Sequence, residues 1–282
     1  MDYREAFRAN PDGKLKLEML DPGFRDHGPA GLAKDEADSW RRKLGAQQAL
    51  LYAERKHSVL VVLQAMDAAG KDGTISHVFS GLNPQGTTVT CFKQPTPIEL
   101  SHDFLWRVHQ HAPARGEIAV FNRSHYEDVL VARVHGLISK ETWKARLAHI
   151  RAFEATLADS GTAILKFFLH ISKEEQLARF GQRLEDPARN WKISGADYSE
   201  RALWDDYMHT YGKVIGATST PGAPWYVIPS DHKWFRDLAV MRILSDTIGD
   251  LGLSFPQPSA DLAAIRRNYH AAEREQAQKT AA

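Results

Sequence analysis

The sequence predicts an α/β fold of three layers, in which a parallel β-sheet lies between two layers of helices. Five apolar segments of strand length are separated by stretches whose apolar residues recur at helical spacing. The first segment also runs into a turn of small residues that ends in Gly70 and Lys71, with helical spacing after it. Because helices connect the strands, the sheet should be parallel, and we expect ligands at the carboxyl ends of its strands.

The composition predicts one large cytoplasmic domain. The chain has 282 residues, of which 43% are hydrophobic, and a formal net charge of +1. This charge provides no general attraction to nucleic acid or membranes, so a polyanion would have to meet local basic clusters. The single Cys91 excludes an internal disulfide framework, and its neighbours Val89 and Phe92 predict a small buried side chain. The amino terminus resembles neither a signal peptide nor a membrane span.

The elements follow in order. Residues 1–34 are polar and rich in Pro and Gly, which predicts an irregular segment packed on the domain. Ala, Leu, Lys, Arg and Glu dominate residues 33–55, which predicts a helix that ends just before the first strand. We predict strands at residues 59–63, 87–92, 117–122, 162–171 and 225–229. A single domain would then cover residues 35–258, followed by a polar, flexible tail at residues 259–282.

The turn after the first strand is typical of a phosphate-binding loop, in which backbone N–H groups, a helix N-terminus and Lys71 face a phosphate. The pattern G-x-x-x-x-G-K-[S/T] is matched imperfectly. Ala65 occupies the first glycine position, and Asp72 replaces the hydroxyl residue that binds magnesium. Asp67, inside the loop, is then the nearest candidate for a metal ligand. The alternative is an ordinary strand-to-helix turn.

A second polar cluster, residues 122–128, follows the third strand. Glu127 or Asp128 could bind magnesium, and Arg123 could neutralise charge on a transferred phosphoryl group. The alternative is structural, because Ser124 and Glu127 also have the spacing of a helix N-cap and its capping-box partner.

A charged and aromatic insertion, residues 185–199, lies between two predicted helices. Arg183, Arg189 and Lys192, beside Trp191, predict a lid over about residues 181–200 that excludes water from a phosphate site. An inert surface hairpin is the alternative. Farther along, aromatic residues at helical spacing predict core packing: Trp204, Tyr207 and Tyr211.

Four blocks together resemble the polyphosphate kinase 2 family, in the form of its class III branch: residues 64–75, 121–128, 183–192 and 223–229. The resemblance spans about residues 35–255. It implies a thymidylate-kinase-like P-loop kinase fold with a helical lid. It also implies direct in-line transfer of phosphate from inorganic polyphosphate to AMP and ADP, which forms ADP and ATP, with Mg²⁺ or Mn²⁺ as cofactor. The family assembles as homo-oligomers, so a dimer or tetramer is implied.

The resemblance also implies roles for individual residues. The catalytic residues are Asp67, Lys71, Arg123 and Arg183. Polyphosphate would be bound by Ala68, Ala69, Gly70, Lys71, Asp72, Gly73 and Lys192. The nucleotide would be bound by Asn83, Gly86, Arg123 and Glu127. Metal would be bound by Asp67 and Asp128, with Glu127 as the alternative to Asp128, because Asn122 stands where other branches of the family have an aspartate.

Two other functions share these features. An ATP-dependent nucleoside monophosphate kinase has the same loop, lid and sheet, but Ala65 and Asp72 favour an unusual donor. A non-catalytic nucleotide-binding module would keep only the loop. The presence of Asp67, Lys71 and Arg123 together argues against that reading.

Overall fold

The computed structural model describes residues 1–10, 15–26 and 30–281. Its sheet is parallel, as predicted, with the order β2-β3-β1-β4-β5. The strands lie at β1 (Ser58–Ala65), β2 (Thr87–Cys91), β3 (Ile118–Asn122), β4 (Thr162–His170) and β5 (Trp225–Pro229). All five agree with the predicted segments to within two residues.

The α-helices of the described residues are α1 (Tyr3–Ala6), α2 (Ala30–Glu54), α3 (Lys71–Val78), α4 (Pro97–Leu100), α5 (Trp106–His109), α6 (Val131–Val134), α7 (Lys140–Asp159), α8 (Lys173–Glu185), α9 (Gly195–Ala202), α10 (Trp204–Thr218), α11 (Lys233–Gly249) and α12 (Leu262–Ala281). Short 3₁₀ helices lie at Leu17–Met19, Pro84–Gly86, His125–Asp128 and Asn190–Lys192. None of the helices in the described ranges has the length and apolar character needed to cross a membrane.

Helices cover both faces of the sheet. One layer contains α2, α3 and α11, and the other contains α7 and α10. Every residue of β1 and β3 is buried, because a parallel sheet covered on both faces exposes neither side of its central strands. Along α2, the buried side chains Leu44, Gln48 and Leu51 recur at helical spacing and form the face that meets the core.

The edge position of β2 corrects the prediction for Cys91. Its side chain is exposed rather than buried. The apolar neighbours that suggested burial behave differently from each other, because Val89 is also exposed whereas Phe92 is buried. β2 pairs only with β3 in this sheet, so part of its surface faces solvent.

The two ends of the chain differ in their contacts. Near the amino end, the N–H of Ala9 donates to the carbonyl of Trp225 at 2.9 Å, and Tyr3 and Leu17 are buried. Residues 11–14 and 27–29 of the predicted irregular segment lie outside the described residues, as does residue 282 of the predicted tail. Most of the remaining tail forms the exposed helix α12. Its Ala, Glu, Gln and Arg residues favour helix over an irregular segment.

Candidate active site

The loop between β1 and α3, residues 66–70, lies at the carboxyl edge of the sheet and is called here the β1–α3 loop. Ala65 is the last residue of β1, where extended backbone accepts a Cβ without strain. Ala68 has φ 61° and Gly70 has φ 112°, both in the left-handed region. Such a conformation costs energy for a residue with a side chain and is common at functional sites.

Lys71 begins α3, so the N–H groups of the first turn have no acceptor within the helix. The N–H of Thr74 is the first to bond back, to the carbonyl of Gly70 at 2.9 Å. The positive end of the helix dipole and these unpaired donors therefore face outward from the loop, as an anion site requires.

The carbonyl groups of the loop are bound from inside the protein by two buried arginines, which the sequence analysis missed. Arg179 of α8 donates to the carbonyls of Ala68 (3.0 Å) and Ala69 (2.9 Å). Arg236 of α11 donates to the same carbonyl of Ala69 at 3.0 Å. Since the N–H of a trans peptide points opposite to its C=O, these contacts turn the N–H of Gly70 away from the core.

Lys71 lies among acidic groups. Its Nζ donates to the carbonyl of Ala65 at 3.0 Å. Burial lowers the pKa of Lys71, and the nearby Arg123 guanidinium lowers it further, whereas the carboxylates of Asp67, Glu127 and Asp72 oppose the shift. The electrostatic field at Lys71 is therefore set by three acidic side chains of this edge of the sheet.

Arg123 follows β3 and lies between two of these carboxylates. Its backbone is also left-handed, with φ 61°, and its N–H donates to the carbonyl of Leu63 at 3.1 Å. The guanidinium donates to Asp67 Oδ1 at 3.2 Å and lies 3.6 Å from Glu127 Oε2. The structure therefore brings together Arg123 and Glu127 from the polar cluster after β3 with Asp67 from the β1–α3 loop, which the sequence analysis selected separately.

Ser124 caps the following 3₁₀ helix, as predicted, by accepting from the N–H of Tyr126 at 3.2 Å. The side chain of Glu127 faces Arg123 rather than the start of this helix. Asp128 points elsewhere, to Arg107 and Arg146 at 3.8 Å each. The structure therefore separates Asp128 from Asp67, because adjacent residues of a 3₁₀ turn project in different directions.

A cavity of about 310 Å³ opens beside the loop and is called here the Asp67 pocket. Its acidic and basic lining consists of Asp67, Arg123, Glu127, Asp197 and Glu200. Tyr207 and Tyr211 of α10 form one wall while remaining largely buried in the core, as the helical stripe predicted. Burial raises the pKa of Glu127, and Arg123 and Lys71 offset this only in part.

Residues 186–203, called here the lid segment, extend over this pocket. Lys192 Nζ reaches Asp72 Oδ2 at 3.2 Å, so the lid segment touches the first turn of α3. Arg183, at the end of α8, donates to the carbonyl of Lys192 at 3.2 Å and lies 3.9 Å from Asp197. Trp191 is 74% exposed and contacts Lys192 through its ring.

Asn83 and Gly86, predicted to bind the nucleotide, do not line this pocket within one copy of the chain. They precede Thr87, which pairs with Ile118 at the start of β3 and thus marks the amino edge of the sheet. Gln48 of α2 binds both the N–H and the carbonyl of Asn83 at 2.8 Å. The turn therefore anchors α2 to the sheet at the edge opposite the pocket.

A buried polar network lies behind the second cluster. Lys166 of β4 donates to Glu154 of α7 at 2.5 Å and to the hydroxyl of Tyr126 at 3.0 Å. Tyr126 donates in turn to Glu154 at 2.7 Å. Each of these three side chains is at most 2% exposed, so the network fixes the turn that carries Arg123 and Glu127. A lysine within an apolar strand was the sequence signal for it.

The acidic residues of the pocket could hold a divalent metal ion. Within the described ranges, no three His, Cys, Asp or Glu side chains converge to form a complete metal cage. Magnesium commonly uses one or two carboxylates and completes its shell with water and phosphate oxygens. Asp67 and Glu127, on the same pocket, provide the two carboxylates.

Comparison with known proteins gives consistent matches. The sequence profile of the polyphosphate kinase 2 family matches residues 33–253. The AMP/ADP-polyphosphate phosphotransferase of Meiothermus ruber is 50% identical over 256 residues, which cover 90% of this chain and 96% of that protein. The ADP-polyphosphate phosphotransferase of Rhodopseudomonas palustris is 48% identical over 76% of this chain and 78% of its own length. The crystal structure of polyphosphate kinase 2 from Arthrobacter aurescens TC1 superposes with a TM-score of 0.93, at 41% identity, over 96% of this chain and 97% of that chain.

Proposed function

This chain belongs to the polyphosphate kinase 2 family, and we propose that it transfers the terminal phosphoryl group of inorganic polyphosphate to AMP and ADP, forming ADP and ATP. The observation that carries the proposal is the double position of Asp67. Its backbone is part of the β1–α3 loop, and its side chain lines the Asp67 pocket. A donor phosphate on the loop and an acceptor phosphate in the pocket would therefore meet beside it.

The donor end of polyphosphate binds, in this proposal, to the N–H groups of residues 68–73 and to Lys71. Lys192 of the lid segment adds a second cation from the opposite side, since it already reaches Asp72. Arg183 does not contact the polyphosphate in this proposal. It stabilises the lid segment by donating to the carbonyl of Lys192. Binding of a linear polyanion by such cations should weaken with added salt.

The acceptor phosphate occupies the Asp67 pocket and attacks in line. An oxygen of AMP or ADP forms a bond to the terminal phosphorus as the bridging P–O bond to the rest of polyphosphate breaks, so the polymer leaves one phosphate shorter. The acceptor oxygen is already ionised at neutral pH and needs no strong base. Arg123 turns from its two carboxylates to the transferred group and neutralises charge on its equatorial oxygens.

Magnesium, or manganese in its place, is the proposed cofactor. Asp67 would hold it, with Glu127 rather than Asp128 as the second carboxylate, because Glu127 lines the same pocket. When bound, the metal neutralises phosphate charge and orients the reacting groups. We also propose that the chain works in the cytoplasm, where its nucleotide acceptors are found. We further propose that it forms a dimer or tetramer, and light scattering of the purified protein would measure its oligomeric state.

The test is donor choice. Purified protein is incubated with Mg²⁺, AMP and long-chain polyphosphate, or with ATP as donor, and the nucleotides are separated by chromatography. We expect ADP and then ATP from polyphosphate. Absence of both overturns the proposal, and transfer from ATP alone would support a nucleoside monophosphate kinase. Asp67→Asn and Lys71→Ala should each reduce turnover by about a hundredfold or more, and a variant that keeps over about a tenth of the activity removes that residue from the mechanism.

A further inference from the structure

Two departures from the usual phosphate-loop arrangement contact each other in this structure. In that arrangement a Ser or Thr hydroxyl after the loop lysine and an aspartate at the end of a neighbouring strand hold magnesium together. Here the residue after Lys71 is Asp72, and the last residue of β3 is Asn122. Asn122 Nδ2 donates to Asp72 Oδ1 at 2.9 Å.

We infer that the carboxylate and its neutral partner have exchanged places, so that Asp72 joins Asp67 at the magnesium site, replaces Glu127 as the second carboxylate, and is oriented by Asn122. The inference deepens the proposed function and rests on it for the identity of the metal. It assigns to Asp72 a role that the loop pattern gives to a hydroxyl, and it explains why an amide at residue 122 is compatible with a metal site.

The two carboxylate oxygens of Asp72 have different partners. One oxygen is fixed by a hydrogen bond, which leaves the other available to bind a metal ion. Oδ1 is bound by Asn122, whose side chain is mostly buried at the end of β3. Oδ2 points outward and faces Lys192 Nζ at 3.2 Å. A cationic group therefore already lies beside the outer oxygen.

The surroundings keep this carboxylate both accessible and charged. The side chain of Asp72 is 67% exposed, so a hydrated ion can reach it. Asn122 and Lys192 both donate hydrogen bonds to this carboxylate, and such bonds favour its charged form, which is the form that binds metal.

The contact with Lys192 adds a second consequence. Because the ammonium and a divalent cation would compete for the same oxygen, Lys192 should weaken metal binding in the absence of substrate. Once a phosphate is present, Lys192 can move to it and leave Asp72 to the metal. A purely structural contact between the lid segment and α3 would have no such effect on metal affinity.

The experiment titrates Mn²⁺ into the protein without nucleotide or polyphosphate and follows the electron paramagnetic resonance signal of free Mn²⁺. Asp72→Asn should weaken binding about tenfold or more, the range seen for changes around metal ligands. Adding Asn122→Asp to that variant should bring the affinity back to within about threefold of wild type, by restoring the carboxylate on the other side of the pair. Lys192→Met should tighten binding, whereas the control Asp128→Asn, a carboxylate held by Arg107 and Arg146, should leave it unchanged.

Wild-type Mn²⁺ affinity in Asp72→Asn overturns the inference, and so does a double variant that binds no better than Asp72→Asn alone. Thermal unfolding of each variant identifies any that fails to fold, which is least expected for the exposed Asp72. The titration contains no substrate, so it is independent of the donor assay. If the wild-type protein is inactive in the donor assay, the proposed function is overturned while the metal data stand. If the enzyme is active but Asp72→Asn leaves the Mn²⁺ affinity unchanged, only the inference is overturned.

Discussion

The guanidinium of Arg236 lies against the backbone of Gly70, so closely that a Cβ built at Gly70 would stand 1.8 Å from Nη1 of Arg236. Arg236 is 1% exposed and is paired with Asp237 at 2.7 Å, so it cannot move aside cheaply. Two independent reasons therefore require glycine at residue 70: its φ of 112° disfavours any residue with a side chain, and the buried Arg236 leaves no room for a Cβ. Helix α11 thus determines the shape of a loop more than 160 residues before it.

Gly70→Ala should lower activity by about a hundredfold or more, because it displaces the N–H groups that face the donor phosphates. Gly181→Ala in α8 is the matched control, since its Cβ would meet nothing within 4 Å and its φ is ordinary. That control should be slightly stabilising, by about 0.5–1 kcal/mol. Steady-state kinetics in polyphosphate and thermal unfolding measure both effects. Equal activity of the two variants would contradict the account of the loop.

Arg123→Lys should reduce kcat by about a hundred- to a thousandfold, because an ammonium cannot replace a planar guanidinium that spans two partners. The side chain is 42% exposed, so the fold should survive. Arg189→Lys, on the exposed part of the lid segment, is the control and should keep most of the activity. If both variants lose kcat alike, the loss comes from removing any guanidinium near the site and not from the position of Arg123.

Tyr126→Phe tests the buried network. Loss of the hydroxyl removes one hydrogen bond to Glu154 and one from Lys166, which should cost about 1–3 kcal/mol of stability. It should also lower kcat, because the turn that carries Arg123 loses its anchor. Ser58→Ala is the control, since it breaks a buried 2.9 Å hydrogen bond to Thr162 at the amino edge. A Tyr126→Phe enzyme with the kinetics of Ser58→Ala would reduce the network to a structural role.

Glu127 should make stability depend on pH. Because burial raises its pKa above the ordinary value of 4.5, the folded protein keeps a proton that the unfolded chain has released. The protonated side chain therefore contributes its full stabilisation at pH values below the pKa of the unfolded chain. That stabilisation is lost as the pH rises through the higher pKa of the folded protein. Glu127→Gln should match wild type at low pH and be more stable at neutral pH, at the expense of activity. Melting curves across pH would contradict this if the difference between the two proteins stayed constant.

The short-range patterns of this sequence were sufficient for the strands, the helix before the first strand, the β1–α3 loop with the helix that follows it, and the polar cluster after β3. Each of these depends on residues within a few positions of one another, such as the run from Val59 to Gly70. The same patterns placed Asp67, Lys71 and Arg123 at one edge of the sheet, because parallel strands end together.

Long-range packing decided the rest. Arg179 and Arg236 bind the carbonyls of a loop 110 and 167 residues away, and no local pattern records such a contact. The orientation of a single 3₁₀ turn placed Glu127 in the pocket and Asp128 against Arg107. The direction of a side chain depends on what packs behind it, and that information exists only once the chain has folded.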